Sequence, residues 1–554
     1  MLALRRLLFL LLLFGSAAPP LALLWRTLGE GGWTVAEALI FVLVAAITPW
    51  IATLFASALV GFALLARGRD PLAATWVPQS EVPTAARTAI AVAVRNEALE
   101  SVLANVAPLL DALPAGAFDL WVLSDTQEPG LAEAEARAWE GFVAARPDRE
   151  RLHCRRRRTN EGFKAGNVMQ FLHDHAGPYD FVLMLDADSV MSAARVAALV
   201  RQLAAHPRVA LIQTLITARP SADAFPRLFQ FGMRHGMRAY AAGIAWWQGP
   251  DGPYWGHNAL LRASAFRDHA VLPTLPGGRR ILSHDQVEAA LLAGAGHEVR
   301  LDPREGGSSE ANPPDMLSFL ARDIRWLAGN LQYFALLRLP GLRMMGRVQL
   351  GLAILLFLLS PVLFLVALLA LVVAHDPAGA VAPLPGLVAT WWLALMYWSP
   401  KLFGAAELAL DPARRARWGG LARLAMGVAA EFLFDLLLLP IRIVAHSVGI
   451  AALLAGRTVG WAPQRRDATQ ISMLQAVRGL WWHTLIGLGL LAGFAASGPL
   501  PLAWALPFVL GPVVAIPFCL LTAARGFGRW LTRAGIAALP EELGRENPPP
   551  PPAG

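Results

Sequence analysis

Three short apolar runs each end in a carboxylate. TAIAVAV (88–94) is followed by Arg95-Asn96-Glu97, LWVLS (120–124) by Asp125, and FVLML (181–185) by Asp186-Ala187-Asp188. Two carboxylates at i and i+2 after a strand can reach one hard divalent cation and the ribose of a nucleotide. Mg²⁺ takes one or two carboxylates and fills its other positions with phosphate oxygens and water. The ion then neutralises a leaving diphosphate. Turns also favour Asp, so position raises the odds here: Asp186 closes an unbroken run of five apolar residues.

Three further groups could do chemistry. Lys164 lies in Gly162-Phe163-Lys164-Ala165-Gly166-Asn167, and of the 48 lysines and arginines only Lys164 and Lys401 are lysine. A compact ammonium beside a phosphate or sugar would account for its presence; a surface loop position would too. Ser283-His284-Asp285-Gln286-Val287-Glu288 offers Asp285 as a general base for a hydroxyl nucleophile, or Ser283 or Asp285 as a helix N-cap. Arg322-Asp323-Ile324-Arg325-Trp326 could hold a diphosphate through Arg325 and offer the Trp326 face to a pyranose. It could equally anchor an interfacial helix at the headgroups.

The elements that must position these residues alternate. Between residues 85 and 335 buried strand runs, including ALIQT (210–214), are separated by amphipathic stretches such as 131–145. Strand–helix alternation predicts a parallel α/β sheet, which binds ligands at the carboxyl ends of its strands.

Long apolar runs flank this region. Residues 7–25 follow Arg5 and Arg6, and Gly15-Ser16-Ala17-Ala18 could be a cleavage region; the resumed apolar stretch 21–25 favours a retained span. Residues 36–65 exceed the ~20 that a bilayer needs. Arg67 and Arg69 after this span, and Arg338, Arg343 and Arg347 before the next, place the central domain inside. Further candidate spans are 350–373, 387–398, 480–496 and 502–521. Residues 421–454 carry Glu431, Asp435, Arg442 and His446 and read as two spans, or as one span and an interfacial helix. Those ionisable groups line a sugar path or pair within the bundle. Six to eight spans are expected. The organisation is two membrane helices in 1–70, a catalytic domain in 71–345, a bundle with interfacial helices in 346–525 and a disordered proline-rich tail in 526–554.

Hydrophobic residues make up 56% and charged residues 16%, against roughly 25% charge in a soluble protein. The net charge of +8 sits beside apolar runs with no basic–aromatic face, so nucleic acid is not a partner. Two cysteines, Cys154 and Cys519, give neither a disulfide framework nor zinc spacing.

The motifs together resemble the processive, inverting family-2 glycosyltransferases, which include cellulose and hyaluronan synthases. An early Asp, a DxD, a base motif and an RW helix follow in order across about 200 residues as Asp125, Asp186-Ala187-Asp188, Ser283-His284-Asp285 and Arg322 to Trp326. The strings Val94-Arg95-Asn96-Glu97, Leu123-Ser124-Asp125-Thr126, the arginine run 155–158, Lys164-Ala165-Gly166-Asn167, Leu185-Asp186-Ala187-Asp188-Ser189-Val190-Met191, Tyr254-Trp255-Gly256-His257-Asn258-Ala259, Ile281-Leu282-Ser283-His284-Asp285 and Arg325-Trp326 are similar to the glucans biosynthesis glucosyltransferase H family of osmoregulated periplasmic glucan synthesis. That resemblance implies a Rossmann-like GT-A domain inserted between transmembrane helices of a polytopic protein in the bacterial inner membrane, with its catalytic domain cytoplasmic. It implies UDP-glucose as donor, Mg²⁺ or Mn²⁺ as cofactor, and a growing β-1,2-linked glucan exported through the same chain. Acyl carrier protein and a periplasmic glucan-processing protein are associated with such enzymes.

Transferred residue by residue, the resemblance implies donor contacts from Glu97, Asp125, Lys164, Asp186 and Arg325, metal binding by Asp186 and Asp188, Asp285 as base, and acceptor contacts from Trp326, Trp255 and His257. Ser-His-Asp replaces the cellulose synthases' Thr-Glu-Asp and Arg322 their glutamine; both point to glucosyltransferase H. Ile324 and Leu327 depart from that family, and the ~30 residues after the last span are too few for a cyclic-dinucleotide-binding barrel. Other readings are another membrane β-glycan synthase, a lipid-phosphate sugar transferase that lacks the RW helix, and a transporter with a degenerate domain.

Overall fold

The computed structural model describes residues 1–70, 86–376, 384–457 and 470–544. Its central domain carries a seven-stranded sheet in the order β3-β2-β1-β4-β8-β6-β9 and a three-stranded sheet in the order β5-β10-β7. The strands are β1 Thr88–Val94, β2 Phe118–Ser124, β3 Leu152–Arg156, β4 Phe181–Asp186, β5 Val190–Met191, β6 Val209–Thr214, β7 Thr217–Ala218, β8 Ala259–Arg262, β9 Glu298–Asp302 and β10 Ser308–Glu310. Side chains alternate across the sheet. Ile90, Val92, Leu183 and Leu185 meet the Leu99–Ala112 and Ala193–Ala205 helices on one face. Ala89, Ala91, Val182 and Met184 meet Phe171, Phe266 and Leu292 on the other. Each fully buried large aliphatic side chain contributes roughly 1.5–3 kcal/mol, and both faces are covered, as parallel strands require.

The large sheet is mixed rather than wholly parallel: β8 runs antiparallel to both β4 and β6. The reason lies in the chain path. The Ala224–Gln248 helix leaves the sheet and packs on the membrane helix Val35–Leu65 and on the Leu384–Leu410 helix. The chain then returns through residues 250–258 at the carboxyl ends of the parallel strands and must enter β8 from that end.

The domain is bolted to the helices rather than tethered. A Cβ on Gly243 would lie 1.8 Å from Ser57 O, and one on Gly61 1.7 Å from Ala239 O, so only glycine permits that crossing. Arg6, at the start of the Leu2–Gly29 helix, donates to Gln248 O at 2.9 Å and to Asp251 at 2.6 Å. The start of the first helix therefore lies beside the domain, on the side to which Arg67 returns the chain. Residues 15–18, the candidate cleavage region, lie inside this continuous helix.

Among the described residues five helices are long and apolar enough to cross a membrane: Leu2–Gly29, Val35–Leu65, Met344–His375, Leu421–Leu454 and Met473–Ala496. The expected span 502–521 is instead a pair, Pro499–Val513 and Ala515–Ala523, bent by 55°, and as one span it brings the total to six. Pro507 and Pro512 remove backbone donors near the break. The 387–398 run lies in the longer Leu384–Leu410 helix. Residues 421–454 form one helix, neither two spans nor a span with an interfacial piece. Its ionisable groups pair within the protein. Glu431 and Asp435 meet Lys401, Arg442 meets Tyr397 at 2.9 Å, and His446 meets Asp323 at 3.2 Å and Ser360 at 3.0 Å.

The expected disordered tail is corrected over residues 526–544. Arg525–Ala534 is helical and Pro540–Leu543 forms a 3₁₀ turn. Buried Arg227 donates to Ile536 O at 2.8 Å and pairs with Glu542, and buried Arg234 pairs with Glu541 at 2.7 Å. Composition flagged the prolines but not these partners, which come from far away in the chain. The proline run 548–552 lies outside the described residues.

Candidate active site

The expected carboxylates converge on one sheet edge because β2, β1 and β4 are adjacent. Asp125 N–H donates to Val94 O at 2.8 Å, and Asn96 N–H to Thr126 Oγ1 at 3.0 Å, which ties the first two strand ends together. Asp125 is buried and gripped by Arg157, whose Nε and Nη2 lie 2.6 and 2.7 Å from its two oxygens. Arg157 has no role in the sequence reading. The signal was there: Arg155 on edge strand β3 reaches Asn167 O at 2.9 Å, and Arg157, two residues on and just past the strand end, reaches Asp125. Glu97 turns back onto the N–H of Arg95 and closes its own loop.

Lys164 stands in the first turn of the Phe163–Asp174 helix. Its ammonium pairs with Asp186 and donates to Gly256 O at 2.8 Å. Burial works to lower its proton affinity, but Asp186 and Asp285 outweigh it and hold Lys164 above the ordinary lysine value. Gly256 thus links the two halves of the site: its carbonyl takes Lys164, and its Cα faces Asp285.

Asp285 opens the Asp285–Gly294 helix, where the N-terminal dipole favours a carboxylate. No side chain caps this helix; its N-cap residue is His284. Ser283 instead supplies its carbonyl to Tyr333 Oη at 2.8 Å and packs under Gly329. His284 Nδ1 lies 3.2 Å from Asp285 Oδ1 and 2.9 Å from Glu288 Oε2. Burial opposes the imidazolium, yet the two carboxylates raise His284 to about 9. Among the described residues these three are the one group of His, Cys, Asp or Glu with ligand atoms within 4.8 Å of one another. The imidazole and the two carboxylates hold one another by charge as well as by contact.

The Asp186–Asp188 pair lies among His257, Glu310 and Arg322. His257 Nε2 is 3.2 Å from Glu310, and its Nδ1 is 3.4 Å from Ser189 Oγ. Burial disfavours its charge, but Asp186 and Glu310 raise it. Burial likewise raises Glu310. Arg322 stacks 4.4 Å over Trp326, which is 43% exposed, and its buried Nε has no hydrogen-bond partner. Burial pulls Arg322 below the usual arginine value while Asp323, Glu310 and Asp188 favour its charge. Arg322 and Glu310, like Arg157, are site residues to which the sequence reading gave no role. Arg325 lies on the same helix, half-buried and lowered by burial and by Arg322. Trp255 packs half-buried with Leu215, Ile244 and Leu301.

Residues 89–270 match the model of glycosyl transferase family 2, and residues 181–403 that of glycosyl transferase family group 2. Proteins named glucans biosynthesis glucosyltransferase H align over nearly the whole chain. The one from Caulobacter vibrioides is 34% identical over 93% of this chain and 82% of its own length. That from Vibrio cholerae is 35% identical over 93% and 74%. The chain belongs to the glucans biosynthesis glucosyltransferase H family. It is a multi-pass membrane glycosyltransferase of glucan synthesis with a GT-A domain. A mannosyltransferase from Pyrobaculum calidifontis, solved with GDP-Man and Mn²⁺, is 19% identical, with a TM-score of 0.44 over 67% of this chain and 98% of its own.

Two expected results arise from the geometry of this glucosyltransferase H family site. A Cβ at residue 256 would lie 2.4 Å from Asp285 Oδ1, at a φ of +88° that favours glycine. Gly256→Ala is therefore expected to lower turnover by about 10–100-fold while the protein still folds, measured as transfer rate against thermal midpoint. The second concerns pH. The folded His284 value of about 9 lies above the free imidazole's ~6.5. Its cluster therefore stabilises the fold fully below about pH 6.5, progressively less above that, and not at all beyond about pH 9. Between those limits the thermal midpoint of the native protein should fall more steeply with pH than that of His284→Asn; parallel curves would contradict the protonated triad.

Proposed function

We infer that this chain polymerises glucose from UDP-glucose into a β-1,2-linked glucan backbone and exports it, working in the bacterial inner membrane with its catalytic domain, residues 71–345, on the cytoplasmic side. The observation that carries the reading is the meeting of Lys164, Asp186 and Asp285 around Gly256, below the helix that bears Arg322, Arg325 and Trp326. Asp285 takes the proton of the acceptor hydroxyl, whose oxygen attacks the anomeric carbon and inverts it as the bond to the diphosphate breaks. Lys164, Arg325 and the orphaned Arg322 Nε offset the charge that develops on the leaving diphosphate. Trp326 offers an open apolar face to the acceptor ring. Asp125, fixed by Arg157, and Glu97 take the nucleoside side.

The residues present fit a divalent ion. Asp186, Asp188 and the partly exposed Glu310 are hard oxygen donors, the kind that Mg²⁺ or Mn²⁺ prefers, and would hold an ion together with phosphate oxygens of the donor. Such an ion, bound there, supplies charge neutralisation at the diphosphate. Acyl carrier protein and a periplasmic glucan-processing protein are the proposed partners.

A donor screen tests the reading. Purified protein in lipid is given UDP-glucose, UDP-N-acetylglucosamine or GDP-mannose, and nucleotide release is followed with and without Mg²⁺. Release from UDP-glucose at least tenfold above the others supports it; a preference for another donor would overturn the assignment of the sugar.

A further inference from the structure

The helix Arg525–Ala534 is short and amphipathic. Arg525–Ala534 follows the membrane helix Ala515–Ala523 directly, with Ala524 between. At 100° per residue its side chains fall into three sectors. Leu531 and Gly528 are buried, with Gly528 seated against Ala222 O and Asp223. Phe527 and Trp530 form a stacked aromatic pair, centroids 5.7 Å apart, with Trp530 55% exposed. Arg525, Arg529 and Arg533, at i, i+4 and i+8, form the third sector, and all three are exposed. Arg423, exposed in the first turn of the membrane helix Leu421–Leu454, lies at the other end, its guanidinium 3.6 Å from the Cβ position of Gly535. None of the four arginines makes an ion pair among the described residues, although arginines elsewhere on this side of the domain, such as Arg227, Arg234 and Arg414, are paired.

We propose that this helix, with Arg423, is a docking surface for anionic phospholipid headgroups on the catalytic-domain face of the bilayer. The occupant follows from position and charge. The bent apolar pair Pro499–Val513 and Ala515–Ala523 ends one residue before Arg525, which sets the patch at the end of a membrane element. An amphipathic helix with aromatic and basic sectors settles there, aromatic rings at the acyl boundary and guanidinia at the phosphates. Arginine also forms forked hydrogen bonds to phosphate. The surface connects inward: the segment after the helix grips Arg227 and Arg234 of the Ala224–Gln248 helix.

The experiment compares the full-length protein with the R525Q/R529Q/R533Q variant and the R525K/R529K/R533K variant. Each is purified and titrated with phosphatidylglycerol or phosphatidylcholine, and bound lipid is counted by native mass spectrometry. The glutamine variant should keep the native thermal midpoint and lose phosphatidylglycerol affinity by about fivefold per arginine, on the order of 100-fold in all. The lysine variant should keep most of it, because the field near the surface is set by charge. Unchanged phosphatidylglycerol binding in the glutamine variant overturns the proposal. So does equal binding of the two lipids by the native protein, or displacement of phosphatidylglycerol by inorganic phosphate.

Discussion

Asp285→Asn is expected to lower transfer by about 10²–10⁴-fold and to leave UDP-glucose binding within a few-fold of native. The substitution keeps the shape of the side chain and the start of the Asp285–Gly294 helix but removes the basic oxygen. A sugar hydroxyl is a poor nucleophile until its proton has somewhere to go, and among the groups around Gly256 Asp285 is the one suited to take it. Lys164 is held in its charged form and pairs with Asp186, so it is a donor. Glu288 is 2% exposed beneath His284, out of reach of an acceptor. Asp285 is the more open carboxylate, with its side chain 30% exposed. Transfer rate and equilibrium donor binding, measured on the same preparation, decide the matter. Near-native turnover would remove Asp285 from the mechanism.

Asp188→Asn should be as damaging through a different step. One carboxylate fewer in the Asp186, Asp188 and Glu310 set weakens the hold on a divalent ion, and charge at the leaving diphosphate then goes unmet. A few kcal/mol of lost transition-state stabilisation corresponds to about 10²–10³ in rate. The two variants differ in rescue: raising Mn²⁺ should restore part of the Asp188→Asn activity and none of the Asp285→Asn activity. Equal Mn²⁺ dependence in native protein and Asp188→Asn would place the metal elsewhere.

Much of the fold was legible in the sequence for a physical reason. β1, β2, β4 and β6 are buried on both faces, so they read as unbroken apolar runs, and their observed ends lie within two residues of the expected ones. β3 was illegible because it is an edge strand whose Leu-His-Cys-Arg-Arg alternates between packing and solvent. The antiparallel β8 is four residues long, too short for a period to show. The carboxylates were legible because parallel strands deliver their carboxyl ends to one edge. Glu310 and Arg157 were not, since each acts through a partner distant in the chain, and no spacing rule links them. The membrane segments were legible by length, but the 55° break and the anchored residues 525–544 depend on tertiary partners that composition cannot carry.

The central claim is that the Asp285 site joins glucose from UDP-glucose into a growing glucan, and the most direct measurement is linkage analysis of the product. Labelled UDP-glucose is given to the purified protein in lipid with Mg²⁺, with Asp285→Asn as the blank. The account predicts a β-1,2-linked oligomer that lengthens with time and is absent from the blank. A different linkage, a single transfer onto lipid, or the same product from Asp285→Asn would contradict it.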